Sequence, residues 1–216
     1  MLDARLRPVI DPPLARLAAV LDRRGISANA VTLAGFAVGV AAVLAIAAGA
    51  FAAALVLFLF NRLGDGLDGA LARRHRITDL GGFLDIVLDF LIYAGLVFGF
   101  ALADPDRNAL AAAFLLFAFM GTGSSFLAFA IMAARRGLES DARGPKSLYY
   151  LGGLTEGTET ILFFLLALLL PARFPLLAVL FGAMCWLTTA ARIATAWRLL
   201  RVARPSPPCP GRREPS

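Results

Sequence analysis

The chain has 216 residues, 59% hydrophobic and 17% charged, with 21 Lys and Arg against 15 Asp and Glu and a mean hydropathy of +0.76. Disorder and an ordinary soluble domain are excluded, because a soluble protein of this size is about 45–50% apolar and about 25% charged. The net charge of +6 would permit nucleic-acid binding, but the places where the basic residues fall assign it to membrane topology instead.

Residues 1–24 are not a signal peptide, since Asp3, Asp11 and five Arg interrupt any apolar run. Pro13 is suited to open a helix in which Leu14, Leu17, Ala18 and Leu21 share a face while Arg16, Arg23 and Arg24 stay wet. That pattern predicts an amphipathic helix lying in the cytoplasmic interface. From Gly25 to Phe60 there is no charged residue, and as one helix these 36 residues would be about 54 Å long against a hydrocarbon core of about 30 Å. Two spans are therefore predicted, 30–48 and 51–75, with a turn near Gly49 and Ala50. A third follows over 80–102, then an Asp104-Pro105-Asp106 turn, a fourth over 108–134 and a basic loop over 135–147. A fifth begins near Tyr149, and Pro171 to Pro175 separates it from a sixth that ends near Leu200.

The predicted fold is thus all-α: an integral membrane bundle of six transmembrane helices over 25–200, preceded by the N-terminal interfacial amphipathic helix. The Pro-rich residues 201–216 read as a disordered cytoplasmic tail. Cys185 and Cys209 form neither a disulfide framework nor a metal-ligand spacing.

Basic residues crowd the N-terminal segment, the loop with Arg73, Arg74 and Arg76, the 135–147 loop and the C-terminal end, whereas the opposite turns hold only Arg107 and Arg173. The positive-inside rule then predicts cytoplasmic termini, in a bacterial inner membrane, with anionic lipid headgroups rather than nucleic acid as partners.

The stretch from Asn61 to Phe90 carries the functional signal. Asp65 and Asp68 are i and i+3 on the second span, Asp85 and Asp89 are i and i+4 on the third, and each pair therefore shares a helix face. Two antiparallel helices joined by a short loop bring both pairs to one depth, near the cytoplasmic ends. Even one Asp at a helix centre costs about 2.5–3.5 kcal/mol on insertion scales, so four need cations. Oxygen donors without His or Cys favour a hard divalent ion, Mg²⁺ or Mn²⁺, and four carboxylates suffice for two such ions and for phosphate chemistry. Gly64, Gly66, Gly69, Ala70, Ala72 and Gly81-Gly82 strip bulk from the surroundings, letting a ligand approach the backbone. The competing reading makes Asp65 and Asp68 structural partners of Arg62 and Arg73, which leaves Asp85 and Asp89 without a role.

The order Asp65-x2-Asp68-Gly69-x2-Ala72-Arg73, seven residues, then Gly81-x3-Asp85-x3-Asp89 resembles the signature of the CDP-alcohol phosphotransferases (CDP-alcohol phosphatidyltransferases), membrane enzymes of phospholipid synthesis. Asn29 and Thr32 at the start of the first span are similar to that family's Pro-Asn-x-x-Thr pattern, with Ala28 in place of Pro. The resemblance implies that Asp65, Asp68, Asp85 and Asp89 hold two divalent cations, Mg²⁺ or Mn²⁺, on the pyrophosphate of a CDP-linked lipid, with Asp89 doubling as general base. It implies that Asn29, Thr32, Gly69, Ala72 and Arg73 line the cytidine end, and that Thr78 or Asp79 takes a loop contact to the nucleotide.

The implied reaction transfers a phosphatidyl group from CDP-diacylglycerol to a small water-soluble alcohol and releases CMP. Transfer of a phospho-alcohol from CDP-choline or CDP-ethanolamine to a lipid hydroxyl shares the same motif. A cation transporter would place its ionisable groups at the midplane of repeated halves, and a dead scaffold would lack a signature carboxylate. Acceptor-pocket candidates are Lys146 in the basic loop, Glu156 and Glu159 on one face of the fifth span, and Arg192 in the sixth. A Glu159–Arg192 salt bridge is the structural alternative, and inositol, serine and ethanolamine all stay open as acceptors. His75 reads as interfacial. Gly35-x3-Gly39 permits close helix packing, either within the chain or in the homodimer that the resemblance implies.

Overall fold

The structure is a computed structural model, and it describes residues 3–75, 77–136, 155 and 157–201. Among them there is no strand. Seven helices run in chain order: α1 (Asp3–Arg23), α2 (Ala28–Ala47), α3 (Phe51–Arg74), α4 (Asp79–Ala103), α5 (Pro105–Arg135), α6 (Gly157–Leu169) and α7 (Phe174–Leu200), with a short 3₁₀ turn, Pro171–Arg173, before α7.

The connections have local causes. Gly25 and Gly49 both adopt left-handed backbone, φ 73° and 74°, which closes the turns between α1, α2 and α3 without a Cβ penalty. At the second turn the Ala50 amide returns to the Ala45 carbonyl at 2.8 Å. Ser27 caps α2 by accepting from the Ala30 amide at 3.2 Å, and Asp104 caps α5 by accepting from the Arg107 amide at 3.2 Å. Asn108 then ties the α4–α5 turn together, donating to the Phe100 carbonyl at 2.8 Å.

Among the described residues, four helical segments are long and apolar enough to cross a membrane: Ala28–Ala47, Asp79–Ala103, Pro105–Arg135 and Pro171–Leu200. The other two predicted spans differ for separate reasons. Helix α3 is long, but Arg62, Asp65, Asp68, Arg73 and Arg74 fall in its second half. Helix α6 is described only from Gly157 and is 13 residues long; the predicted start at Tyr149 lies outside the described residues, as does the tail beyond Arg201.

The N-terminal helix begins at Asp3 and runs through Pro12 and Pro13, so Pro13 does not open it. Leu14 and Ala18 are buried in a small cluster with Ala70 and Leu71 of α3, while Leu17 is exposed.

The main core lies toward the end opposite the acids. Phe51 at the start of α3, Phe100 near the end of α4 and Phe174 at the start of α7 stack there, with the Phe100 and Phe174 centroids 4.3 Å apart. Outward positions such as Leu110, Phe117, Met120 and Trp197 are apolar and exposed, the pattern of a surface that meets lipid. Helices α2 and α3 make the most extensive contact in the fold. Their approach is set by Gly35 and Gly64: a Cβ on Gly64 would lie 3.3 Å from the Gly35 Cα. Gly39 in turn faces Ile92 of α4 and Asn61 of α3, so the Gly35-x3-Gly39 stripe serves packing inside the chain.

Candidate active site

Helices α3 and α4 are antiparallel neighbours joined by four residues, 75–78, so the helix period alone brings the two acid stripes to one level. Asp68 is buried, Asp65 half-buried and Asp85 exposed. One carboxylate oxygen from each lies within 4.8 Å of the others. That spacing is close to the roughly 4 Å between opposite ligands of an Mg²⁺ or Mn²⁺ octahedron, and the all-oxygen donor set fits a hard divalent ion. The three acids line one narrow cleft with Thr32 and Asp89.

Asp89 faces the same cleft, but its Oδ1 accepts a hydrogen bond from Arg62 Nη2 at 2.8 Å. Arg62 has 9% of its side chain exposed and lies 3.7 Å from Asp65. Its remaining donors are also used: Nη1 to the Tyr93 hydroxyl at 2.7 Å, and Nε and Nη2 to Asn61 Oδ1 at 2.9 and 2.7 Å. The guanidinium carbon sits 5.0 Å from the Tyr93 ring centroid and 5.9 Å from that of Phe58. Asn61 is itself fixed, donating from Nδ2 to the Gly35 carbonyl at 2.9 Å. The competing sequence reading made Asp65 and Asp68 the partners of Arg62 and Arg73, and it named none of Asp89, Asn61 and Tyr93 as partners of Arg62. A signal was present, because Tyr93 lies four residues after Asp89 and so continues the Asp85–Asp89 stripe.

The residues expected at the cytidine end lie on the side of the cleft nearest the α3–α4 connection. Thr32 lines the cleft, its hydroxyl donating to the Ala28 carbonyl at 3.0 Å. Asn29 and Thr78 both approach Gly81, where a Cβ would lie 3.4 Å from Asn29 Oδ1 and 3.1 Å from Thr78 Oγ1. Thr78 also caps α4, accepting from the Gly81 amide at 3.1 Å. Arg73 is exposed and lies over Gly69, its Nη1 3.4 Å from where a Cβ would stand, while Ala72 is partly buried beside them. Both signature glycines thus sit where a side chain would crowd the polar groups of the mouth.

The acceptor candidates are less completely described. Lys146 and Glu156 lie outside the described residues, and Glu159 stands in the first turn of α6. Arg192 is buried in α7, donates to the Thr122 carbonyl at 3.0 Å and lies 5.5 Å from the Phe126 ring centroid. It lines a largely apolar groove with Phe129, Met132 and Trp197, apart from the acid cleft.

Near the end of α1, Asp22 meets the end of α3. Its carboxylate accepts from Arg74 Nε at 3.1 Å and pairs with His75 Nε2 at 2.6 Å. These two hydrogen bonds, Arg74 first, hold the Asp22 carboxyl below its usual range. His75 thus meets Asp22 at the end of α3 and is not among the residues that line the acid cleft.

Residues 26–199 match the family model described as CDP-alcohol phosphatidyltransferase. The chain is 57% identical over 201 residues to the inner membrane protein YnjF of Escherichia coli (strain K12), covering 93% of this chain and 98% of that protein. It is 33% identical over 105 residues to the archaetidylinositol phosphate synthase of Pyrococcus horikoshii, covering 48% of this chain and 56% of that one. Among solved structures, Mycobacterium tuberculosis phosphatidylinositol phosphate synthase (PgsA1) with CDP-DAG bound superposes with a TM-score of 0.68 at 23% identity, covering 85% of this chain and 93% of that one. The same enzyme in complex with manganese and citrate gives 0.68 at 24% identity, covering 85% and 88%.

Proposed function

The chain belongs to the CDP-alcohol phosphatidyltransferase family, and from that premise we propose that it transfers a phosphatidyl group from CDP-diacylglycerol to the hydroxyl of a small polar alcohol, releasing CMP. The carrying observation is the convergence of Asp65, Asp68 and Asp85 within 4.8 Å, with Asp89 in the same cleft. Asp65, Asp68 and Asp85, joined by Asp89 for a second ion, would hold the divalent cations, which neutralise the pyrophosphate and polarise the attacked phosphorus when bound. Asn29, Thr32, Gly69, Ala72, Arg73 and Thr78 orient the cytidine end at the mouth. Asp89 accepts the proton of the incoming hydroxyl as its oxygen bonds to the lipid-side phosphorus and the bond from that phosphorus to CMP breaks. No covalent enzyme intermediate is needed.

Two structures of the similar mycobacterial enzyme support this donor and a divalent ion: CDP-DAG is bound in one, and manganese is present in the other. The mycobacterial enzyme is named phosphatidylinositol phosphate synthase, and the archaeal relatives are named archaetidylinositol phosphate synthases. A phosphorylated acceptor is therefore an arm of the test, while Glu159 beside Thr158 and Thr160 suits an uncharged polyol or an amino alcohol. We read all of α2 to α7 as spans, with 1–24 as an interfacial segment and with the termini and cleft cytoplasmic. The inner membrane location named for the Escherichia coli relative supports a bacterial inner membrane.

The experiment is CMP release by the purified chain with Mg²⁺ or Mn²⁺, CDP-diacylglycerol and a panel of inositol 1-phosphate, inositol, glycerol 3-phosphate, serine and ethanolamine. Metal-dependent CMP release with one acceptor, and its loss in Asp89→Asn, is expected. Turnover undiminished by chelation, or in Asp89→Asn, would overturn the assignment.

A further inference from the structure

Arg62 is more tightly held than charge balance requires. It lies one turn deeper in α3 than Asp65, where an isolated guanidinium is costly, and a single carboxylate would neutralise it. Instead it bonds Asp89, the Tyr93 hydroxyl and, twice, Asn61, between two aromatic rings and with Asp65 nearby. Each extra bond removes rotational freedom from the guanidinium rather than adding counter-charge. The anchoring continues through Asn61 to a backbone atom of α2, the Gly35 carbonyl, so the position of Asp89 on α4 is referred to the two neighbouring helices. A planar fork with donors on several edges can hold this arrangement; a lysine ammonium on a flexible stem cannot reach all three acceptors in fixed orientation. The bond to Asp89 uses Oδ1, which turns Oδ2 into the oxygen of defined direction.

We propose that Arg62, seated by Asn61 and Tyr93, is a positioning residue that clamps Asp89 so that Oδ2 is aimed at the acceptor hydroxyl. The inference rests on the reading of Asp89 as the base. It adds that the base works at full rate only while clamped, and that this clamp lies below the residues that orient the cytidine end.

The test uses the full chain in nanodiscs with Mg²⁺, CDP-diacylglycerol and the acceptor that gives the fastest CMP release. Arg62→Met should lower kcat by about 10²-fold, the cost of a misplaced catalytic group, with KM for CDP-diacylglycerol unchanged. Arg62→Lys should recover part of that loss. Tyr93→Phe keeps the ring and removes only the hydroxyl, and should lower kcat about tenfold, as expected for a lost bond to a charged group. Mn²⁺ binding at Asp65, Asp68 and Asp85, read by electron paramagnetic resonance, should persist in Tyr93→Phe, separating loss of the clamp from loss of fold. Wild-type kcat in Tyr93→Phe and Arg62→Met, or a raised KM at constant kcat, overturns the clamp. If instead Asp89→Asn itself remains active, it is the assignment of the base that fails.

Discussion

The Arg62–Asp89 pair can be tested through stability, independently of turnover. Asp89→Ala removes the carboxylate 2.8 Å from a guanidinium with 9% of its side chain exposed. Breaking a buried pair by deleting one partner costs about 3–5 kcal/mol, because the other charge is stranded. Asp65 moderates the loss, standing 3.7 Å away. At an effective dielectric of about 20 the two attractions are about 6 and about 4.5 kcal/mol before desolvation, so Asp65 supplies a substantial second counter-charge. The expected destabilisation is therefore at the low end, about 3 kcal/mol. Asp89→Asn should cost less, since the amide oxygen still accepts from Arg62. The double variant Arg62→Met/Asp89→Ala strands no charge in the pair and should be more stable than Asp89→Ala alone. Denaturant titrations in detergent micelles, with chelator present so that Asp65 stays available to Arg62, measure the wild type, Arg62→Met, Asp89→Ala, Asp89→Asn and the double variant. If the double loses the sum of the single losses to within about 0.5 kcal/mol, the two residues are uncoupled and the reasoning fails.

Three further outcomes are expected. Asp68→Asn should weaken Mn²⁺ binding and lower CMP release by about 10³-fold, equivalent to several kcal/mol of transition-state charge stabilisation; wild-type Mn²⁺ affinity would remove Asp68 from the ion site. Gly64→Ala places a Cβ 3.3 Å from the Gly35 Cα, and overpacking against backbone should destabilise by about 1–3 kcal/mol; Gly157→Ala, with open space around it, is the control that should unfold like the wild type. The Asp22 latch has an acid limit: its folded-state pKa is depressed, so its contribution is present above the ordinary carboxylate value and fades as pH falls through the folded one. Protease cleavage between α1 and α2 should rise progressively as pH falls below the ordinary carboxylate value of about 3.9, and Asp22→Asn should be cleaved readily already at neutral pH.

Local rules made part of this site legible in the sequence. Asp65 with Asp68 and Asp85 with Asp89 follow the helix period, and a short connection leaves antiparallel helices only one way to face those stripes. The turn at Gly49 was legible for a similar reason, since an uncharged run too long for one span has to bend where the chain tolerates left-handed backbone. Partners across helices were not legible. Arg62 is three residues from Asp65 in sequence, yet its shorter contact is to Asp89, 27 positions away, because the register between α3 and α4 decides which carboxylate it reaches. The glycines of Gly35-x3-Gly39 carry no mark of whether the facing helix is in the same chain; only the approach of Gly64 and Ile92 shows that it is. Pro13 looked like a helix start because proline is at home in a first turn, but α1 begins ten residues earlier, at Asp3.

The depth order of charges along α3 and α4 links the packing to the chemistry. From the α3–α4 connection inward come exposed Arg73, then Asp68 and Asp85, then Asp65 and Asp89, then Arg62 beside Tyr93, each step close to one turn of about 5.4 Å. Acids at this depth repel one another and would drive the helix ends apart if left uncompensated. A fixed cation beneath them reduces that repulsion from the closed side of the cleft, so α3 and α4 can stay bridged through Arg62 while the open side remains available to the divalent ion and the anionic substrate. The buried charge must be immobile to serve that purpose, since a cation free to rise into the cleft would compete with the ion for the same oxygens. Asn61 and Tyr93 supply that immobility, and Gly35 and Gly39 let α2 come close enough for Asn61 to be anchored. The small-residue stripe on α2, which contributes no charge itself, is thereby a condition for the acidic site on α3 and α4.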